Sequence, residues 1–130
     1  MSRIIGLLGP LSAMVAVTLG AFGSHGLRGQ LDDYLLGIYQ TAVQYHFYHA
    51  LGLTLIALAL RHQPLNRLLQ WSGSLMFAGT LLFSGSLYLL ALTGSRWLGM
   101  ITPMGGLLFI VSWLLFAVAL YRSPDLDDRA

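Results

Sequence analysis

The chain contains no cysteine, no lysine and no glutamate. Without cysteine it has neither a disulfide framework nor a thiolate metal site. Its charge is confined to seven arginines and five aspartates, so charged residues make up only 9% of the 130 positions. A soluble domain carries about 25%, and so large a shortfall leaves too little polar surface to cover a globule in water. With 56% hydrophobic residues and a mean hydropathy of +0.71, lipid is the expected solvent. The arginines are single and scattered, with no basic face, so the net charge of +2 does not point to nucleic acid. Nucleophile-elbow, phosphate-loop, dinucleotide and HExxH patterns are all missing, and the chain is expected not to be an enzyme.

Four runs are apolar over the roughly 20 residues that a helix needs to cross a hydrocarbon core. They cover about 4–22, 42–60, 68–92 and 101–121 of a single membrane domain, 1–130. Backbone in lipid must satisfy its own hydrogen bonds, so all four are expected to be helical. No Asp or Glu falls inside them, which removes the usual carboxylate site of a proton- or sodium-coupled transporter. The links 61–67 and 93–100 are short and make neighbouring helices antiparallel. The link 23–41 is longer. Within it, Leu31, Leu35, Leu36 and Ile38 recur at nearly helical spacing, so 31–41 reads as a short interfacial helix or as an extension of the second span. An aspartate at its start suits the helix dipole and can cap the first turn. Thr102-Pro103 reads as N-cap then first residue of the fourth span, and Pro10 inside the first span predicts a kink.

The fold class is therefore all-α: an integral membrane bundle of four transmembrane helices, up-down-up-down. Arg3, Arg61, Arg67, Arg122 and Arg129 fall on one side of it, and Arg28 and Arg96 on the other. The positive-inside rule then gives N-in/C-in. Asp125, Asp127 and Asp128 in the tail count little in that rule. Trp71, Trp97 and Tyr121 sit near span ends as interface anchors. A rival reading takes residues 1–23 as a signal peptide cleaved near Ala21-Phe22-Gly23; the long apolar run and the lone Arg3 before it argue against this.

Four stretches depart from the leucine-rich background: Gly20–Leu27, Thr41–Gly52, Phe83–Gly94 and Ile101–Gly106. The alternating topology brings all four to the outer half of one bundle, while the inner half is comparatively plain Leu, Ile and Ala. In that order and spacing, GAFGSHGL, TAVQYHFYHALG, FSGSLYLLALTG and ITPMGG resemble a family of small bacterial inner-membrane proteins of unknown function, the YgdD-type proteins with related small eukaryotic transmembrane proteins. The resemblance runs from about Gly6 to Trp113. It implies a four-span protein of the plasma membrane, with a link to envelope integrity in some members, and it brings no reaction, cofactor or catalytic residue.

Within the outer set, glycines 20, 23, 26 and 29 recur every third residue. Gly20, Gly23, Gly26, Gly85, Gly105 and Gly106 are read first as close packing positions. Ser12, Ala16 and Gly20 form a small face at spacing four, and Gly73, Gly79 and Gly85 act similarly in the third span. His46 and His49 share one side of a helix, and His25 lies at the same membrane level. Three neutral imidazoles could hold zinc or copper. The plainer reading keeps His49 bonded inside the bundle and His25 and His46 in the wet interface, with no metal; a proton relay is a further option. Gln44 is costly in lipid unless bonded and is expected to face the bundle interior. Tyr45 is an ordinary interface residue that could also line a pocket. Ser84, Ser86 and Thr102 are weak signals, since hydroxyls often bond a carbonyl one turn back.

The expected function is that of a small inner-membrane protein without catalysis, cofactor or nucleic-acid partner, supporting membrane or envelope integrity. It would act through the lipid bilayer, a homo-oligomer or a partner membrane protein. The candidate working surface is the outer polar set His25, Gln44, Tyr45, His46, His49, Ser84, Ser86 and Thr102. Two alternatives stand beside it: an oligomeric small-solute or ion transporter or channel subunit, which needs a polar stripe through the spans, and a metal- or cofactor-binding protein using His25, His46 and His49.

Overall fold

The computed structural model describes residues 1–123; Asp125, Asp127, Asp128 and Arg129 of the tail lie outside them. Four α-helices follow one another: α1 (Ser2–His25), α2 (Asp33–His62), α3 (Arg67–Thr93) and α4 (Thr102–Tyr121). A 3₁₀ turn at Arg96–Met100 leads into the last. There is no extended strand among the described residues, only an isolated bridge between Arg28 and Leu31. The shortest helix has 20 residues, about 30 Å at 1.5 Å per residue. All four are thus long and apolar enough to cross a membrane.

The helices run longer than the apolar spans, because polar caps set their ends. Asp32 Oδ1 accepts from Leu35 N–H at 2.7 Å, so α2 starts nine residues before the apolar run at 42. Residues 33–41 are therefore its opening turns, not a separate interfacial helix. Asn66 Oδ1 accepts from the N–H groups of Leu68 and Leu69 and starts α3. Gly94 ends α3 in the left-handed region at φ 72°, where a Cβ would be strained. Thr102 corrects the expectation made for it: the N-cap position of α4 is Ile101, and the Thr102 side chain makes no cap bond. Pro103 does sit in the first turn.

Packing follows chain order: α1 lies on α2, α2 on α3 and α3 on α4. The buried residues of α1 are Ile5, Gly9, Ala16 and Gly23, with Ser12 half-buried between them. Steps of four, three, four and seven make a heptad seam of small residues rather than the simple spacing-four face, and such a seam lets two helices approach closely. A Cβ on Gly9 would lie 2.8 Å from the Thr54 nitrogen and one on Gly23 2.5 Å from the Tyr39 ring. At the α3–α4 contact, a Cβ on Gly105 would lie 2.8 Å from Phe83 Cα. Below these contacts Ile5, Leu53, Ile56, Leu60, Leu69, Met76, Phe109 and Phe116 form the main apolar core.

Three of the expected packing glycines behave otherwise. Gly85 has open space where a Cβ would go, Gly106 would make only an ordinary 3.7 Å contact with the Phe83 ring, and Gly26 meets only Phe22 of its own helix, as the residue that ends α1. Gly20 is intermediate, 3.2 Å from Val43.

These contacts separate two substitutions that sequence alone treats alike. Gly105→Ala drives a methyl into backbone and is expected to cost about 1–3 kcal/mol, whereas Gly85→Ala is expected to be neutral. Thermal unfolding of the detergent-solubilised protein reads the difference; equal shifts would refute the α3–α4 contact.

Candidate functional site

The outer polar residues resolve into three separate constellations and two outliers. The first is built on α2, whose buried positions Tyr39, Ala42, His46, His49, Ala50 and Leu53 follow one helical face. His46 occupies the middle of that face. Its Nε2 lies 2.9 Å from Ser12 Oγ on α1, and its Nδ1 lies 3.0 Å from the Tyr88 hydroxyl on α3. A neutral imidazole has one donor and one acceptor nitrogen, so either tautomer satisfies both bonds. Tyr39 extends the knot: its hydroxyl donates to the Leu19 carbonyl at 2.6 Å, and its ring meets Tyr88 edge-on at 5.3 Å. The ring lies where Gly23 lacks a side chain, which ties the α1 glycine to the α2 tyrosine.

The second constellation is aromatic. His49 Nδ1–H donates to the Tyr45 carbonyl at 2.6 Å, and the ring stacks on Phe109 of α4 with centroids 3.4 Å apart. Tyr45 and Phe83 approach to 4.7 Å beside it. The third joins α3 to its neighbours. Ser84 Oγ donates to the Ala42 carbonyl at 2.9 Å, and Ser86 and Thr102 share a 2.6 Å hydroxyl pair. Ser86 also bonds the Phe83 carbonyl at 2.9 Å.

Gln44 and His25 do not join these groups. Gln44 is exposed, contrary to the expectation that it faces inward. Two residues from His46 is about 200° around a helix, which turns it to the opposite face. It lines a shallow groove of about 200 Å³ between α1 and α2, with Gly20, Ser24, Gln40 and Val43. His25 is exposed at the end of α1. The three imidazoles therefore do not converge, and among the described residues no three His, Cys, Asp or Glu side chains are grouped to hold a metal ion.

A polar clasp outside the outer set went unforeseen in the sequence. Ser72 Oγ lies 2.8 Å from the Ser112 carbonyl, and Ser112 Oγ 2.7 Å from the Ser72 carbonyl. Both serines are fully buried. Ser72 stands near the start of α3, in the half expected to be plain. No buried side-chain nitrogen or oxygen among the described residues lacks a partner; the partners lie on adjacent helices for His46, Ser72, Ser84 and Ser112 and one turn back in the same helix for His49 and Thr80.

The family model described as "Protein of unknown function (DUF423)" matches residues 19–106. The chain is 49% identical over 117 residues to a UPF0382 membrane protein of Staphylococcus epidermidis, which covers 90% of this chain and 94% of that relative. It is 48% identical over 117 residues to the UPF0382 membrane protein YwdK of Bacillus subtilis, with 90% and 95% covered. No solved structure matches. The family match begins at Leu19 and ends at Gly106, so it takes in Tyr39, His46, Ser84, Ser86 and Thr102 but not Ser12 or Ser112.

If His46 is the tie between α1, α2 and α3, removing either partner leaves a ring nitrogen short of a bond. Ser12→Ala and Tyr88→Phe are each expected to cost roughly 0.6–1.7 kcal/mol, the range of interhelical hydrogen bonds in lipid. His25→Ala should cost nothing. Thermal unfolding in detergent measures all three, and a His25 variant as unstable as the Tyr88 variant would contradict the assignment.

Proposed function

Because the chain belongs to the DUF423 or UPF0382 family of bacterial membrane proteins, we propose that it acts without catalysis, as a small structural and interaction protein of the inner membrane that supports envelope integrity. It lies N-in and C-in, the side with Arg3, Arg61, Arg67 and Arg122 facing the cytoplasm. On this reading the family extends to the YgdD-type proteins and to small eukaryotic transmembrane proteins through the four outer motifs.

The observation that carries the reading is where the buried polarity goes. Most of the buried polar groups are spent on fastening one helix to another: His46, Ser72, Ser84 and Ser86 bond across helices, and His49, bonded within its own helix, stacks on Phe109 of α4. Among the described residues no buried side-chain nitrogen or oxygen is left without a partner. The polarity left over is outside. Gln40 and Gln44, one turn apart, are exposed beside the bare face of α1, and the groove continues past Ala16, Val17 and Tyr48. A glutamine exposed at a membrane-spanning level is costly, and a second membrane helix bonding it there would relieve that cost. The working surface is therefore this outer α1–α2 face, and its partner is a second copy or another membrane protein.

Gln40→Leu with Gln44→Leu tests it. The doubly substituted protein should insert and accumulate normally, yet fail to restore detergent resistance to a strain lacking the gene. Full rescue would refute the working surface. The chain's lack of cysteine makes a second test direct. A Tyr48→Cys variant is expected to give an oxidative cross-linked adduct in membranes, lost when both glutamines are leucine. For orientation, cysteines placed at Pro64 and at Ser95 should label from opposite sides, Ser95→Cys from the outside.

A further inference from the structure

The opposite end of the molecule carries a second feature that the outer face does not use. A cavity of about 540 Å³ opens between the start of α1 and the end of α2, lined among others by Ser2, Arg3, Gly6, Leu7, Leu60 and Arg61. Arg3 and Arg61 are both exposed. The wall between them is apolar, and it is open because neither Gly6 nor Ala57 opposite has a long side chain: a Cβ built on Gly6 would come only within 4.0 Å of Ala57 Cβ. The only acids among the described residues are Asp32 and Asp33, which start α2 at its far end. Arg61 lies about 40 Å along the helix from them, several Debye lengths away at physiological salt. Two cations with no acid near them among the described residues, at the rim of an apolar notch where a membrane helix begins, present the complement of an amphiphile with a negative head.

We propose that this notch is a binding site for an anionic phospholipid. Arg3 and Arg61 hold the headgroup phosphate, with guanidinium donors matched to phosphate oxygens. The Ser2 hydroxyl and the open N–H groups at the start of α1, whose N-cap Met1 makes no side-chain cap, are additional donors on the same side. An acyl chain runs along Gly6, Leu7 and Leu60. The lipid would then staple α1 to α2 at the end opposite the His46 knot. The site is independent of the outer-face function and of which side faces the cytoplasm.

Native mass spectrometry of the full chain in detergent, titrated with phosphatidylglycerol or phosphatidylcholine, reads it out. Phosphatidylglycerol adducts should form at lower concentration. Surface cations near anionic lipid contribute about fivefold each, so R3Q/R61Q should lower phosphatidylglycerol affinity about twentyfold, while R3K/R61K stays within a few-fold of the parent. R28Q/R96Q, at the other end, should change nothing. Gly6→Phe fills the apolar wall, leaves both charges in place and should also weaken binding several-fold. Unchanged binding in R3Q/R61Q or in Gly6→Phe overturns the site. An equal loss in R28Q/R96Q would make it general charge attraction, and displacement by millimolar glycerol phosphate would make it a bare anion site; either overturns the lipid assignment. If phosphatidylglycerol binds only after Asp125, Asp127 and Asp128 are changed to Asn, the acidic tail is the occupant and the proposal fails.

Discussion

His46 spends both of its imidazole nitrogens on neighbouring helices, and the way it does so organises the bundle. Ser12 of α1 lies at one nitrogen and Tyr88 of α3 at the other, so α2 is fixed between two neighbours by one side chain. Lipid sets this constraint. With no water to turn to, a polar atom buried among helices either finds a protein partner or costs several kcal/mol. Since apolar contact with lipid is as good as contact with another helix, hydrophobicity cannot tell α2 where to sit. Directional bonds can: the knot at His46 joins α1 to α2 and α2 to α3, and the Ser72–Ser112 clasp and the Ser86–Thr102 pair both join α3 to α4.

Those bonds are short-ranged, so they require backbones that come close, and the glycines provide this. Tyr39 reaches the Leu19 carbonyl because its ring can lie over Gly23. Gly9 lets α1 rest against the Thr54 backbone, and Gly105 lets α4 rest against Phe83. Removing a Cβ at these places yields contact area that a leucine would hold apart. Packing and hydrogen bonding are thus one arrangement: the small residue sets the spacing, and the polar residue sets the register.

The sequence carried one of these levels well and the other poorly. Four apolar runs of membrane length sufficed for the four helices, because length and hydropathy are what a bilayer selects. Depth was legible too, since alternating topology brings His46, Ser84, Ser86 and Thr102 to one end. Azimuth was not. A step of two residues separates buried His46 from exposed Gln44, and nothing in the composition of 41–52 marks which face is inward. Hydroxyls were equally opaque. Ser74 bonds the carbonyl of Gln70 in its own helix at 2.9 Å, while Ser72, two positions earlier, bonds across to α4. Local sequence gives both the same context. Hydropathy ends at the membrane surface, but the helical spacing of 31–41 and the aspartate before it already allowed the second span to extend further back, as α2 does from its Asp32 cap.

What the molecule leaves uncommitted is as specific as what it binds together. α1 gives only one narrow seam to the bundle, and much of the rest of its surface is bare: Leu7, Met14, Val17 and Phe22 are all exposed. Two grooves that flank α1 are the glutamine-edged one towards its C-terminal end and the arginine-edged notch at its N-terminal end. One presents amide groups, the other cations. Between them lies the Gly9–Ser12–Ala16 seam, where α1 rests on α2. The least buried helix therefore borders both the glutamine-edged groove and the arginine-edged notch, and under the association proposed for this protein these are the places left for a partner helix and a headgroup.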